Sequence, residues 1–149
     1  MMNIRKEMVL GVGCVHPRGE NPDYDGFYFK RSEMKALAEG LKDKPLYIEH
    51  MDKKKQSGKI CHAWVGTKQN CYALFETNDE TYPGLLAKNL IKKNIYTDLS
   101  LGHQVVYEES QHKMNVIEKV PTEVSIVEKG DRPNTHIYTL GDEPSTIKT

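Results

Sequence analysis

Short runs of β-branched and aromatic residues, cut apart at brief intervals by Gly, Asn, Asp and Lys clusters, constrain this chain more than any other feature. Residues 8–15 (MVLGVGCV), 27–29 (FYF), 45–50 (PLYIEH), 59–65 (KICHAWV) and 71–77 (CYALFET) all have the composition of strands. QVVYEE, KMNVIEKV, TEVSIVEKG and THIYTL continue the pattern in the C-terminal half, and no repeat of fixed period organises them. Only two stretches read as helix. In SEMKALAEGL, Ser32 can serve as N-cap and Gly40 as the stop. In ETYPGLLAKNLIKKN, Thr81 can cap and Pro83 suits the first turn. Tyr82, Leu86 and Leu90 recur at four-residue spacing beside Leu85 and Ile91, while Lys92 and Lys93 meet the negative end of the dipole. The expected fold is therefore mainly β with a few helices: a small antiparallel β-barrel with helices at its periphery.

At 149 residues the chain has the length of one ordinary domain, expected over 1–140, with GDEPSTIKT (141–149) as a polar tail or the start of a linker. Lys+Arg and Asp+Glu are balanced at 21 each, so no global field draws the chain to nucleic acid or to an acidic membrane, and neither is expected as a partner. The N-terminal apolar run is short and contains two glycines, which suits neither a signal peptide nor a bilayer span, so a soluble intracellular protein is expected. Cys14, Cys61 and Cys71 are odd in number and lack CxxC spacing, against a disulfide framework or a zinc knuckle. His16, His50, His62, His103, His112 and His136 show no helical i, i+4 pair, so neither a metal nor another cofactor is implied.

Three stretches carry possible chemistry. In DLSLGH, strand alternation puts Asp98, Ser100 and Gly102 on one face and turns Leu99 and Leu101 into the core. Gly102 would leave space beside the hydroxyl for a substrate backbone. His103 falls on the opposite face, so any base for Ser100 must come from elsewhere. His50 ends the apolar strand PLYIEH, exposed enough to exchange protons, and histidine titrates near neutral pH. Glu123 shares a strand face with Ser125 and Val127; a carboxylate there needs a cation or an N–H donor against it, and a histidine would serve. EKGDRPN then forms a Gly- and Pro-marked turn whose N–H groups and Arg132 guanidinium could face an oxyanion. Taken singly, each has a plain structural reading: a strand-face serine, a boundary histidine, a salt-bridged glutamate, a hairpin turn. Trp64 beside His62 reads most simply as core packing.

The order of these stretches is more specific than any one of them. A strand ending in His (IEHMDKKKQSGKI), a helix, Ser on the next strand (DLSLGH) and then EVSIVEKGDR resembles, over residues 8–140, the capsid maturation proteases: the herpesvirus assemblins and the prohead proteases of tailed phages. The resemblance implies an assemblin-like barrel and a serine endopeptidase that cleaves scaffold and capsid precursor proteins, and itself, inside the viral procapsid in the infected-cell cytoplasm or nucleus. It matches Ser100 to the nucleophile, His50 to the general base, Glu123 to the third triad member, and Asp131 and Arg132 to the oxyanion-stabilising pair. The assemblins carry a second histidine as third member, whereas glutamate suits the phage-type branch. Asp131 replaces the first arginine of the assemblin GRR pattern, which leaves its backbone N–H in play. A homo-oligomer is possible. Two other readings stand beside this one: a non-catalytic β-barrel scaffold or binding module of the capsid, and a cysteine hydrolase using Cys61 or Cys71.

Overall fold

A computed structural model describes residues 10–17, 29–50, 55–66, 68–111, 113–130, 132 and 134–141. In chain order the elements are β1 (Leu10–His16), a 3-10 turn (Arg31–Glu33), α1 (Met34–Leu41), β2 (Pro45–Ile48), β3 (Gly58–Val65), β4 (Cys71–Thr77), α2 (Tyr82–Lys92), β5 (Asp98–Ser110), β6 (Lys113–Val127) and β7 (Ile137–Gly141). The strands form one seven-stranded sheet in the order β5-β6-β2-β3-β4-β1-β7, curled into a half-barrel. Its two edges touch at one end, where Leu99 donates its N–H to the Thr135 carbonyl (2.8 Å) and Ile137 donates to Thr97 (2.9 Å). The mainly β expectation holds. Antiparallel pairing also holds, with one exception: β2 runs parallel to β6, Leu46 opposite Val124, Tyr47 opposite Ser125 and Ile48 opposite Ile126.

The concave side encloses the core, which includes Leu46, Ile60, Phe75, Leu99, Leu101, Val124 and Ile126. Each such side chain stabilises the fold by roughly 1.5–3 kcal/mol when fully buried. Met34, Leu37, Ala38 and Leu41 form the i, i+3, i+4, i+7 stripe by which α1 packs across β3, β4 and β6. The turn before α1 is tied to the sheet by Lys119, whose ammonium pairs with Glu33 (2.9 Å) and lies 5.7 Å from the Phe29 ring centroid.

Several local expectations change. Ser32 lies within the 3-10 turn and Gly40 inside α1, where a Cβ would come within 2.8 Å of the Pro121 ring, so the glycine serves helix–sheet contact and not a stop. Thr81 does cap α2, accepting the Gly84 N–H at 3.2 Å. The buried face of that helix is Gly84, Ala87 and Ile91, while Tyr82 and Leu85 are exposed. Small residues win because the helix lies almost on the Asn78 backbone, where a Cβ at Gly84 would not fit. KMNVIEKV and TEVSIVEKG are one strand, β6, with Pro121 at a register shift opposite the Gly102/His103 step of β5. Of residues 27–29, only Phe29 lies within the described residues, and it is buried outside any strand. Gly141 pairs with Leu10 as part of β7, so the sheet extends to the first residue of the expected tail. Trp64 is not in the core; it stacks with His62 (5.7 Å) and Tyr72 (5.9 Å), side chains that alternate away from the buried positions of β3 and β4.

Candidate functional site

The parallel β2–β6 ladder is what brings the chemistry-bearing residues together. Strand β2 stops at Ile48, and the chain turns with Glu49 and His50 both in the left-handed region, at φ 53° and 54°. His50 is thus in the turn beyond the strand and not at its end. Non-glycine residues rarely hold that conformation, which costs on the order of 1–3 kcal/mol each unless neighbours fix it. Here β6 fixes it. Glu49 donates its N–H to the Ile126 carbonyl (3.0 Å), His50 donates its N–H to Ser125 Oγ (2.9 Å), and Glu128 donates its N–H to Glu49 Oε1 (3.1 Å).

This geometry aims the His50 ring between two strands. Nδ1 lies 2.5 Å from Glu123 Oε1 and Nε2 lies 2.8 Å from Ser100 Oγ. A carboxylate can only accept, so the contact with Glu123 puts the proton of neutral imidazole on Nδ1 and leaves the Nε2 lone pair facing the serine hydroxyl. The second carboxylate oxygen, Oε2, accepts from Ser125 Oγ at 2.9 Å. One unit of two β6 side chains therefore holds His50 by both its backbone and its ring. Ser100 and Glu123 are buried, at 7% and 8% exposure, while the His50 side chain is 39% exposed, so the imidazole remains open to a proton-exchanging partner.

The β5–β6 register explains why Glu123 can reach across. Ser100 stands opposite Ser125 and Gly102 opposite Glu123. A Cβ on Gly102 would fall within bonding distance of Glu123 Oε1. The space expected to admit a substrate backbone is instead filled by the glutamate carboxylate. His103, past the register shift, packs its ring edgewise on Phe29 (5.2 Å) and takes no part in the cluster.

Gly130 of the EKGDRPN stretch, and Thr135 just beyond it, lie against β5. Asp131 lies outside the described residues. Arg132 is buried, at 3% exposure, and its carbonyl accepts from Thr135 Oγ1 at 3.4 Å. Two residues that the sequence placed on these strand faces without a role contribute to the arrangement. Asp98 accepts the Gly130 N–H on Oδ2 (3.0 Å), and its Oδ1 faces His136 Nδ1 (2.8 Å). Burial acts to raise the Asp98 carboxyl, but the Gly130 N–H, His136 and Thr97 together outweigh it and hold the carboxyl below its ordinary range. Ser125 is the other unassigned contributor. Its position two residues after Glu123 was a usable signal, since i and i+2 share a strand face.

The cysteines are unsuited to nucleophilic attack. All three are free thiols, burial pushes Cys14 up to about 12 and Cys61 up to about 11, and the deeply buried Cys71 is raised as well. Among the described residues, no three His, Cys, Asp or Glu side chains gather as a metal-holding group.

No protein-family model and no curated protein matches the chain. Solved structures do. The protease of Kaposi's sarcoma-associated herpesvirus in complex with a hexapeptide phosphonate inhibitor superposes with a TM-score of 0.57 at 18% identity, over 87% of this chain and 63% of that one. The same viral protease bound to an allosteric inhibitor gives 0.54 at 14% identity over 89% and 77%. In complex with a dimer disruptor it gives 0.54 at 15% over 89% and 76%. The chain thus spans less than two thirds of the first of these proteases, and at such identities the likeness is one of fold.

Proposed function

We propose that this chain is a serine endopeptidase of the capsid-maturation type, acting on scaffold and capsid precursor proteins within the viral procapsid. The observation that carries the reading is the hydrogen-bonded line from Glu123 through His50 to Ser100, on a fold similar to that of a herpesvirus protease. Neutral His50 takes the Ser100 proton through Nε2 as Oγ attacks the scissile carbonyl. Glu123 holds the ring tautomer and stabilises the imidazolium that forms, the part played by aspartate in the familiar serine triad. The turn that carries Asp131 and Arg132 is assigned to the oxyanion side. His50 then protonates the leaving amine, and water releases the acyl-enzyme by the same route. Self-association is part of the reading, since the comparison protease is a target of a dimer disruptor.

The test is covalent labelling with a serine-directed fluorophosphonate, read by intact mass and peptide mapping, alongside cleavage of the cognate scaffold protein. Wild type is expected to carry one adduct, on Ser100, and to cut the scaffold. Ser100→Ala should lose the adduct and most of the rate, on the order of 10⁶-fold for a developed triad. His50→Gln should suppress both. Absence of labelling in the purified protein and also in assembled precursor particles would sink the assignment.

A further inference from the structure

The Asp98 carboxylate lies two positions before Ser100, on the same face of β5, and takes no part in the Glu123–His50–Ser100 line. Both of its oxygens are committed to the segment that follows β6. Oδ2 accepts the Gly130 N–H (3.0 Å), while Oδ1 accepts from His136 Nδ1 (2.8 Å) and from Thr97 Oγ1 (3.1 Å). The strand backbone grips the same segment, with Leu99 N–H on the Thr135 carbonyl (2.8 Å) and Ile137 N–H on the Thr97 carbonyl (2.9 Å). At Gly130 the approach is so close that a Cβ would lie 2.9 Å from the Leu99 carbonyl oxygen and closer still to Thr135 Oγ1. A buried carboxylate satisfied in this way is a rigid anchor, because freeing it means stripping a charge of its donors.

Gly130 immediately precedes Asp131 and Arg132. An N–H aimed at Asp98 cannot also serve an oxyanion, and Asp98 and the β5 backbone fix the described residues on both sides of Arg132, Gly130 before it and Thr135 and His136 after it. We propose that Asp98, with His136 behind it, is a positioning pair that holds the oxyanion-side turn in register with Ser100, so that oxyanion stabilisation depends on it while activation of the nucleophile does not. This rests on the serine-peptidase reading and adds to it a division of labour between two carboxylates on neighbouring strands: Glu123 orients the base, Asp98 orients the turn.

The division is testable through the split between kcat and KM. Asp98→Ala should lower kcat with KM little changed, by up to the roughly 10²–10³-fold that loss of one oxyanion donor costs. Affinity for a peptidyl trifluoromethyl ketone, whose adduct needs the oxyanion site, should fall by a similar factor, and the acid limb of the pH–rate profile, set by His50, should not move. Asp98→Asn should recover much of the loss, because its carbonyl can accept the Gly130 N–H while its amide donates to the other His136 tautomer. Hydrogen exchange at the Gly130 amide, slow in wild type, should accelerate in Asp98→Ala. A folded, active wild type whose Asp98→Ala variant keeps its kcat and ketone affinity overturns this proposal alone. An Asp98→Ala loss that appears in KM, or that shifts the acid limb, overturns it too. A wild type with neither turnover nor labelling of Ser100 overturns the peptidase reading and this proposal with it.

Discussion

Gly102 stands opposite Glu123 in the β5–β6 ladder, and the hydrogen in place of its side chain is the space through which the carboxylate reaches His50. A Cβ there would meet the Glu123 carboxylate, which is buried and held by His50 and Ser125, so Gly102→Ala should displace the carboxylate from its partners. The expected result is a folded protein with a lowered urea midpoint and a fall in kcat approaching that of Glu123→Gln. For Glu123→Gln itself the loss should be on the order of 10⁴-fold, since an amide no longer stabilises the imidazolium or enforces its tautomer. Steady-state kinetics on a scaffold-derived peptide would check both. If Gly102→Ala keeps full activity, the carboxylate has another way round. Ser100, His50 and Glu123 were each visible as candidates from their strand contexts. The role of Gly102 was not, because the sequence shows that a side chain is absent but not what moves into its place.

At the scale of elements, alternation and capping were legible where local chemistry decides. Leu99 and Leu101 point into the core and Asp98 and Ser100 do not, as the period of two requires. Thr81 caps α2, and Thr81→Ala should destabilise by about 0.5–2 kcal/mol. That would appear as a lower urea midpoint with an unchanged slope. An unmoved midpoint would mean that the cap bond is replaced by solvent at no cost. The buried face of α2 was only partly legible: of the apolar stripe Tyr82, Leu85, Leu86, Leu90 and Ile91, Ile91 is buried but Tyr82 and Leu85 are exposed, and the close approach to Asn78 puts Gly84 on the inner face instead. Strand lengths in the second half were underestimated for a related reason. Pro121 looks like a break, yet at a register shift a residue without an N–H is tolerated within one continuous strand.

At the scale of the whole molecule the sheet is closed at one end on β5, and two carboxylates, Glu33 half-buried and Asp98 buried, tie distant segments together: Glu33 joins the turn before α1 to Lys119 on β6, and Asp98 joins β5 to the chain after β6. For Glu33, burial acts to raise the carboxyl, but Lys119 and Lys30 outweigh it and hold it below its ordinary value, the same direction as Asp98. A carboxyl whose pKa is lower in the folded state adds stability in full above its unfolded value, about 4, and loses it as pH falls through the lower folded value. Stability should therefore decline below about pH 4, and Glu33→Gln should flatten that decline. Urea midpoints between pH 2 and 6 test this, and a variant curve parallel to wild type would exclude Glu33 as a contributor. What the sequence by itself determined is what depends on neighbours along the chain: the β-rich class, the two helices, the inward and outward faces of the strands, and residue types suited to nucleophile, base and acid. Only the tertiary structure decided that β2 runs parallel to β6, that His50 sits in a left-handed turn fastened to Ser125, and that Asp98 meets Gly130 and His136. Those contacts join residues 32 to 78 positions apart, and pairing at that range is chosen by how a curled sheet closes over its core, a property of the assembled strands and of no segment alone.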